Sequence, residues 1–166
     1  MAETYEAIAT TTLGSTATAI SFTSIPSTYT DLRVILVTKL NSGSGIIRIY
    51  LNNNSSNIYS YTSLYNQYTS PASDRTTSSA GVATNYSLGS YFSFIDINIF
   101  DYANTGKNTS MLVFASDDQL TSVGASRHAA LLWRDTSAVN RVDLQTLFSD
   151  PLAVGTTATL YGIKKA

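Results

Sequence analysis

The sequence predicts an all-β protein: an antiparallel, jelly-roll-like β-sandwich of about eight or nine strands. Three observations lead there. Strand-length segments with period-two alternation recur between turn signals. No strand is followed by a convincing long helix, so parallel βαβ units are not expected. Serine and threonine make up 46 of 166 residues, 23 of each, and threonine suits pleated strands.

The elements follow in order. "YEAIATTTL" (5–13) reads as extended and ends at Gly14. "ATAISFTSIP" (17–26) places Ile20 and Phe22 alike and stops at Pro26, which removes a donor. "DLRVILVTKL" (31–40) is the clearest central strand, with Leu32, Val34, Leu36 and Leu40 on one face and Ile35 and Val37 on the other. "NSGSG" turns the chain into "IIRIYLNNN", so the two strands read as a hairpin. In "NIYSYTSLYNQY" the residues Tyr61, Leu64, Tyr65 and Tyr68 have helical spacing, with Ser56 as a possible N-cap. A short helix or an irregular crossing both fit it. "TSPASDRTTSSAGVATN" (69–85) reads as a long loop. Strands resume at 90–100, 109–116, 126–135 and 138–148, and the last runs from Thr157 to Ile163.

A chain of 166 residues reads as one domain, 1–166, large enough to bury a core without staples. It has no cysteine, which excludes disulfides, thiol catalysis and cysteine-ligated metals. The net charge is −1, so no basic field exists to hold nucleic acid. No apolar stretch approaches membrane-spanning length, and the first residues do not read as a signal peptide. Only 13% of residues are charged. A surface of small hydroxyl side chains loses little rotamer freedom on burial and suits packing against neighbours.

Chemistry-bearing groups are sparse. His128 is the sole histidine, too few for a zinc or charge-relay site without clustered carboxylates. Asp96, Asp101, Asp117 and Asp118 are the carboxylates a hydrolase would draw on, and no spacing pairs them. No phosphate loop, dinucleotide fingerprint or nucleophile elbow is present. No cofactor or metal is expected. The strongest cluster is aromatic: Tyr59, Tyr61, Tyr65 and Tyr68 beside Asn57 and the asparagine run 52–54, with the single Trp133 elsewhere. Tyrosine combines rigid apolar area with a polar tip, which suits core packing, a protein interface or stacking on a sugar.

Four stretches taken together resemble a family of small β-rich structural modules in tailed bacteriophages. They are "FTSIPSTYTDLRVILV" (22–37), "IIRIYLNNNSSNIYSYTSLY" (46–65), "LLWRDTSAVNRVDL" (131–144) and "TATLYGIK" (157–164). The resemblance implies a non-enzymatic virion protein. The chain begins with its own methionine and carries no fibre repeat, which points to a head decoration or cement protein on the outer capsid surface. Its implied partners are the major capsid protein and itself, as a trimer or dimer, with residues 2–12 and 69–85 as arms. The alternative is a tail-tip or baseplate module that binds a host glycan through Asn57, Tyr59, Tyr61 and Trp133.

Overall fold

The computed structural model describes residues 4–42, 45–67, 70–83, 91–117, 125–147 and 150–164. Its strands are β1 (Tyr5–Thr12), β2 (Ala19–Phe22), β3 (Asp31–Thr38), β4 (Ile47–Leu51), β5 (Tyr59–Gln67), β6 (Ser70–Ser79), β7 (Val82–Ala83), β8 (Ser93–Phe100), β9 (Thr109–Asp117), β10 (Ala125–Trp133), β11 (Val142–Thr146) and β12 (Thr157–Ile163). There is no helix among the described residues.

Every pairing is antiparallel. One sheet has eight strands, in the order β1-β12-β3-β8-β9-β10-β5-β6, and the other has four, β2-β11-β4-β7. The all-β sandwich is as expected. The sheets are not the matched four-stranded pair of a plain jelly roll, because the large one is twice as wide as the small one.

One core joins them. Leu32, Val34 and Leu36 of β3, Ile95, Ile97 and Ile99 of β8, and Leu131 and Trp133 of β10 enter it from the large sheet. Ile20 and Phe22 of β2, Ile47, Ile49 and Leu51 of β4, and Leu144 of β11 enter it from the small one. The period-two pattern of each strand therefore dictates which face turns inward.

Four local expectations are corrected. The hairpin of 31–40 with 46–54 does not form: β3 pairs with β12 and β8, whereas β4 pairs with β11 and β7. Both strands have an apolar face, and crossing between sheets lets those faces oppose each other across the core. The tyrosine stretch is a strand, β5, and not a helix. The long loop 69–85 holds the ten-residue β6 and the short β7. β6 is a polar edge strand, with Ala72, Asp74 and Thr76 half-buried against Ser73, Arg75 and Thr77 exposed. Residues 5–12 are not a free arm: β1 pairs along β12 from Tyr5 opposite Ile163 to Thr12 opposite Thr157.

Two of the four quoted stretches meet in space. The Tyr29 ring of "IPSTY" lies on Gly162 of "LYGIK", where a Cβ would stand 2.4 Å from ring carbons. The Tyr102 hydroxyl donates to the Pro26 carbonyl and accepts from the Tyr29 amide at 3.4 Å. The opening and closing motifs are thus one packing unit that fixes the chain entering β3 against the end of β12.

Candidate functional site

The aromatic cluster of the sequence divides along β5. Tyr59 and Trp133 are directly opposite and fully buried, with rings stacked at 6.5 Å and 25°. The Tyr59 hydroxyl accepts from the Leu51 amide at 2.9 Å and donates to the Asn54 carbonyl at 3.0 Å. Burial pushes its pKa up to about 12. Neither ring reaches solvent, so the expectation that Tyr59 and Trp133 form a sugar platform is overturned. Packing in an apolar core explains both better.

The asparagine run is structural as well. Asn52 and Asn53 adopt left-handed backbone angles of 52° and 55°, which asparagine tolerates. The Asn52 side chain accepts from the amides of Asn140 and Arg141 at 2.9 and 3.2 Å and donates to the Ala138 carbonyl at 2.9 Å. It ties the turn after β4 to the segment leading into β11. Asn57 is exposed, and its carbonyl accepts from Ser78 Oγ at 3.0 Å and Arg134 Nη2 at 3.1 Å.

Further along β5 the inner face turns polar. Tyr61 and Tyr65 are half-buried, and Tyr68 lies outside the described residues. Between them the buried Arg127 of β10 holds its guanidinium carbon 5.4 Å from each ring centre. Arg127 Nη2 donates to both oxygens of Asp74 at 2.9 Å. Ser63 Oγ donates to the same carboxylate. Arg127 Nε is buried without a hydrogen-bond partner. Neither Arg127 nor Asp74 was singled out from sequence. The signal was present, since Arg127, Ala129, Leu131 and Trp133 alternate onto one face.

The opposite, outward face of the large sheet carries several of the large exposed apolar side chains. In register across it run Ile35 of β3, Asp96 of β8, Phe114 of β9, His128 of β10 and Leu64 of β5. Leu64 is 66% exposed, and Val37, Phe94, Leu112 and Phe114 are each about 40% exposed. Phe114 and His128 make an edge-to-face contact at 4.9 Å. A shallow depression of about 280 Å³ lies among Leu64, Leu112, Phe114, His128 and Ala130. A second, of about 310 Å³, adjoins it among Ser60, Thr62, Arg75, Ala130, Leu132 and Arg134. The second sits where a bulge between Tyr59 and Tyr61 shifts the β5–β6 register. Arg134 closes its end by donating to the Thr77 and Asn57 carbonyls.

The carboxylates a hydrolase would need are dispersed. Asp96 is bound at two points by Arg33, at 2.9 and 2.7 Å, and its attraction holds the arginine pKa above the ordinary value. Asp101 follows β8 and pairs with Lys107 at 2.7 Å, which holds its pKa below the ordinary 3.8. Asp118 and the Asp117 side chain lie outside the described residues. No group of three or more metal-ligating side chains occurs among the described residues.

No protein-family model matches the chain, and neither does any curated protein. Two solved structures are partly similar. One is alginate lyase Aly36B as a mutant in complex with alginate tetrasaccharide, at 9% identity over 83% of this chain and 72% of that one, with a TM-score of 0.31. The other is alginate lyase Aly36B, at 6% identity over 88% and 71%, with a TM-score of 0.29. Likeness at this level carries no argument about activity.

Proposed function

We propose that this chain is a non-enzymatic structural protein of a bacteriophage particle: a decoration or cement protein on the outer head surface. It would bind across neighbouring copies of the major capsid protein and associate with itself. The observation that carries this reading is the outward face of the eight-stranded sheet. Val37, Phe94, Leu112, Phe114 and Leu64 form a solvent-facing apolar surface spanning β3 to β5. Soluble monomers rarely leave such a patch uncovered, and patches of this kind mark docking surfaces. The low charge of the chain and the family resemblance of its four motifs support the same reading. Adhesion follows from geometry, because a broad, rigid sheet face buries area without first ordering a loop.

The test is a copy count in purified particles, with heads and tails separated. Hundreds of copies on heads are expected. A few copies on tails would overturn the head assignment in favour of the tail-module reading. Of the glycan contacts proposed for that reading, Asn57 and Tyr61 remain accessible, while Tyr59 and Trp133 are buried. Alanine variants of Asn57 and Tyr61 on a glycan array would then decide it.

A further inference from the structure

We infer that the groove across β6, β5 and β10, at one end of the outward face of the large sheet, receives an acidic segment of the protein on which that face docks. The segment sets a carboxylate at Arg75 and Arg134 and an aliphatic side chain in the adjoining apolar depression. This rests on the docking reading above and names the chemistry of the partner there.

Register builds the groove. Arg75 of β6 stands opposite Thr62 of β5, and Thr62 stands opposite Ala130 of β10. Thr62 and Ala130 line both depressions, and their short side chains form the shared floor. Longer side chains stand around them: Leu64 and Leu112 at one end, and Leu132, Arg75 and Arg134 at the other. Leu64 and Ser60 mark the two ends on β5, about 13 Å apart at the rise of a strand. In an extended partner that is the spacing of residues i and i+4, which project to the same side.

Charge names the occupant. Arg75 and Arg134 are both exposed, and the ion pairs among the described residues all involve other side chains. No Asp or Glu lines either depression among the described residues. Asp74, beside Arg75 in sequence, is committed to Arg127, and Asp135, beside Arg134, accepts from the Ser137 amide at 2.8 Å. Arg134 spends two of its five N–H donors on the Thr77 and Asn57 carbonyls, which holds it in place with three to spare. A neutral partner covering this end would strand two cations away from water. A carboxylate turns that cost into charge-assisted hydrogen bonds.

The other end favours a protein over an acidic glycan. Leu64, Leu112 and Phe114 line it. A saccharide hydroxyl buried among them would lose its hydrogen bonds to water, whereas an aliphatic side chain has none to lose.

The probe is the capped peptide acetyl-Leu-Ser-Thr-Ser-Glu-amide, titrated to about 10 mM into the isotopically labelled full chain and followed by amide NMR shifts. Shifts are expected at Thr62, Leu64, Arg75, Ala130 and Leu132, and none on the small sheet. Raising salt from about 0.05 to about 0.3 M should weaken binding about threefold. The same peptide with glutamine for glutamate should bind about tenfold more weakly. Arg75→Gln should weaken the glutamate peptide to the same degree with unchanged thermal unfolding, because Arg75 is exposed and outside the internal ion pairs. No binding at about 10 mM, equal binding of the two peptides, indifference to Arg75→Gln, or tighter binding of trigalacturonate than of the peptide overturns the inference. In particles, Arg75→Glu should lower head occupancy about tenfold or more. Copies on heads that ignore Arg75→Glu would overturn the inference and leave the docking reading standing. Copies absent from heads, with the peptide results as expected, would overturn that reading and leave the groove's preference for an acidic segment standing.

Discussion

β5 and β10 run side by side, and their two ends have opposite characters. At one end Tyr59 faces Trp133; six residues away Tyr65 faces Arg127. The first pair is dry, stacked and fully buried. The second pair is a cation between two half-exposed rings, held by a carboxylate from β6. The same residue type on the same strand thus serves two purposes. What decides between them is the partner strand: β10 supplies an indole at one end and a guanidinium at the other. Tyrosine count alone therefore says little about where a surface lies.

The sharpest way to break the comparison is Trp133→Ala. Losing the largest side chain of the dry end should cost about 3–5 kcal/mol, read as a lower urea midpoint. Leu64→Ala, on the same pair of strands but facing out, should cost less than about 0.5 kcal/mol. Equal losses would mean that the two faces of the sheet are not distinct.

Next comes Asp74→Ala, which leaves Arg127 buried without its carboxylate and should cost about 2–4 kcal/mol. Adding Arg127→Met should restore at least half of that, because an apolar side chain needs no partner there. A double variant no better than the single one would show that the polar end is held by something other than the pair.

Tyr59→Phe is smaller. It removes the hydroxyl shared by Leu51 and Asn54 and should cost about 1–2 kcal/mol at neutral pH. It should also flatten alkaline unfolding. The folded Tyr59 titrates at about 12 against an ordinary 10.0. Its stabilising contribution is therefore complete below pH 10 and lost as pH rises towards 12, on the order of 2–3 kcal/mol. Denaturation of both proteins between these pH values measures the difference.

The smallest effect is in acid. Asp135, just beyond Trp133, is held below its ordinary 3.8 by the Ser137 side chain and amide. Its contribution is present above pH 3.8 and lost as pH falls through the lower folded value. Asp135→Asn should make the acid limb of the stability curve shallower, and an unchanged limb would remove this residue from the account.

Much of the fold was legible because one buried face places an apolar residue at every second position along β3 (Leu32, Val34, Leu36), β4 (Ile47, Ile49, Leu51) and β8 (Ile95, Ile97, Ile99). β6 was not legible. Its edge position buries only one side lightly, so Ser, Thr, Asp and Arg fill it and its pattern mimics a loop. β5 was misread because Tyr61, Leu64, Tyr65 and Tyr68 satisfy helical spacing, while Tyr59, Tyr61, Ser63 and Tyr65 satisfy the strand period that won. Sheet membership was also hidden. "NSGSG" looks like a hairpin turn, and only the need to oppose two apolar faces sends β4 into the other sheet. At the candidate site, the tyrosines were found, but the paired Arg127 and Asp74 depend on a register between strands 53 residues apart.

The place of β12, between β1 and β3, has a consequence for synthesis on the ribosome. β3 emerges early with a nearly continuous apolar run, and its two partners are β8 and β12. At roughly 5–20 residues per second, β3 waits several seconds for the first and longer for the second. β1 waits for β12 as well. The large sheet cannot close vectorially; it closes only after β12 has emerged. During that interval the nascent chain presents open strand edges, so its yield in the cell should depend on chaperone supply more than its final stability would suggest.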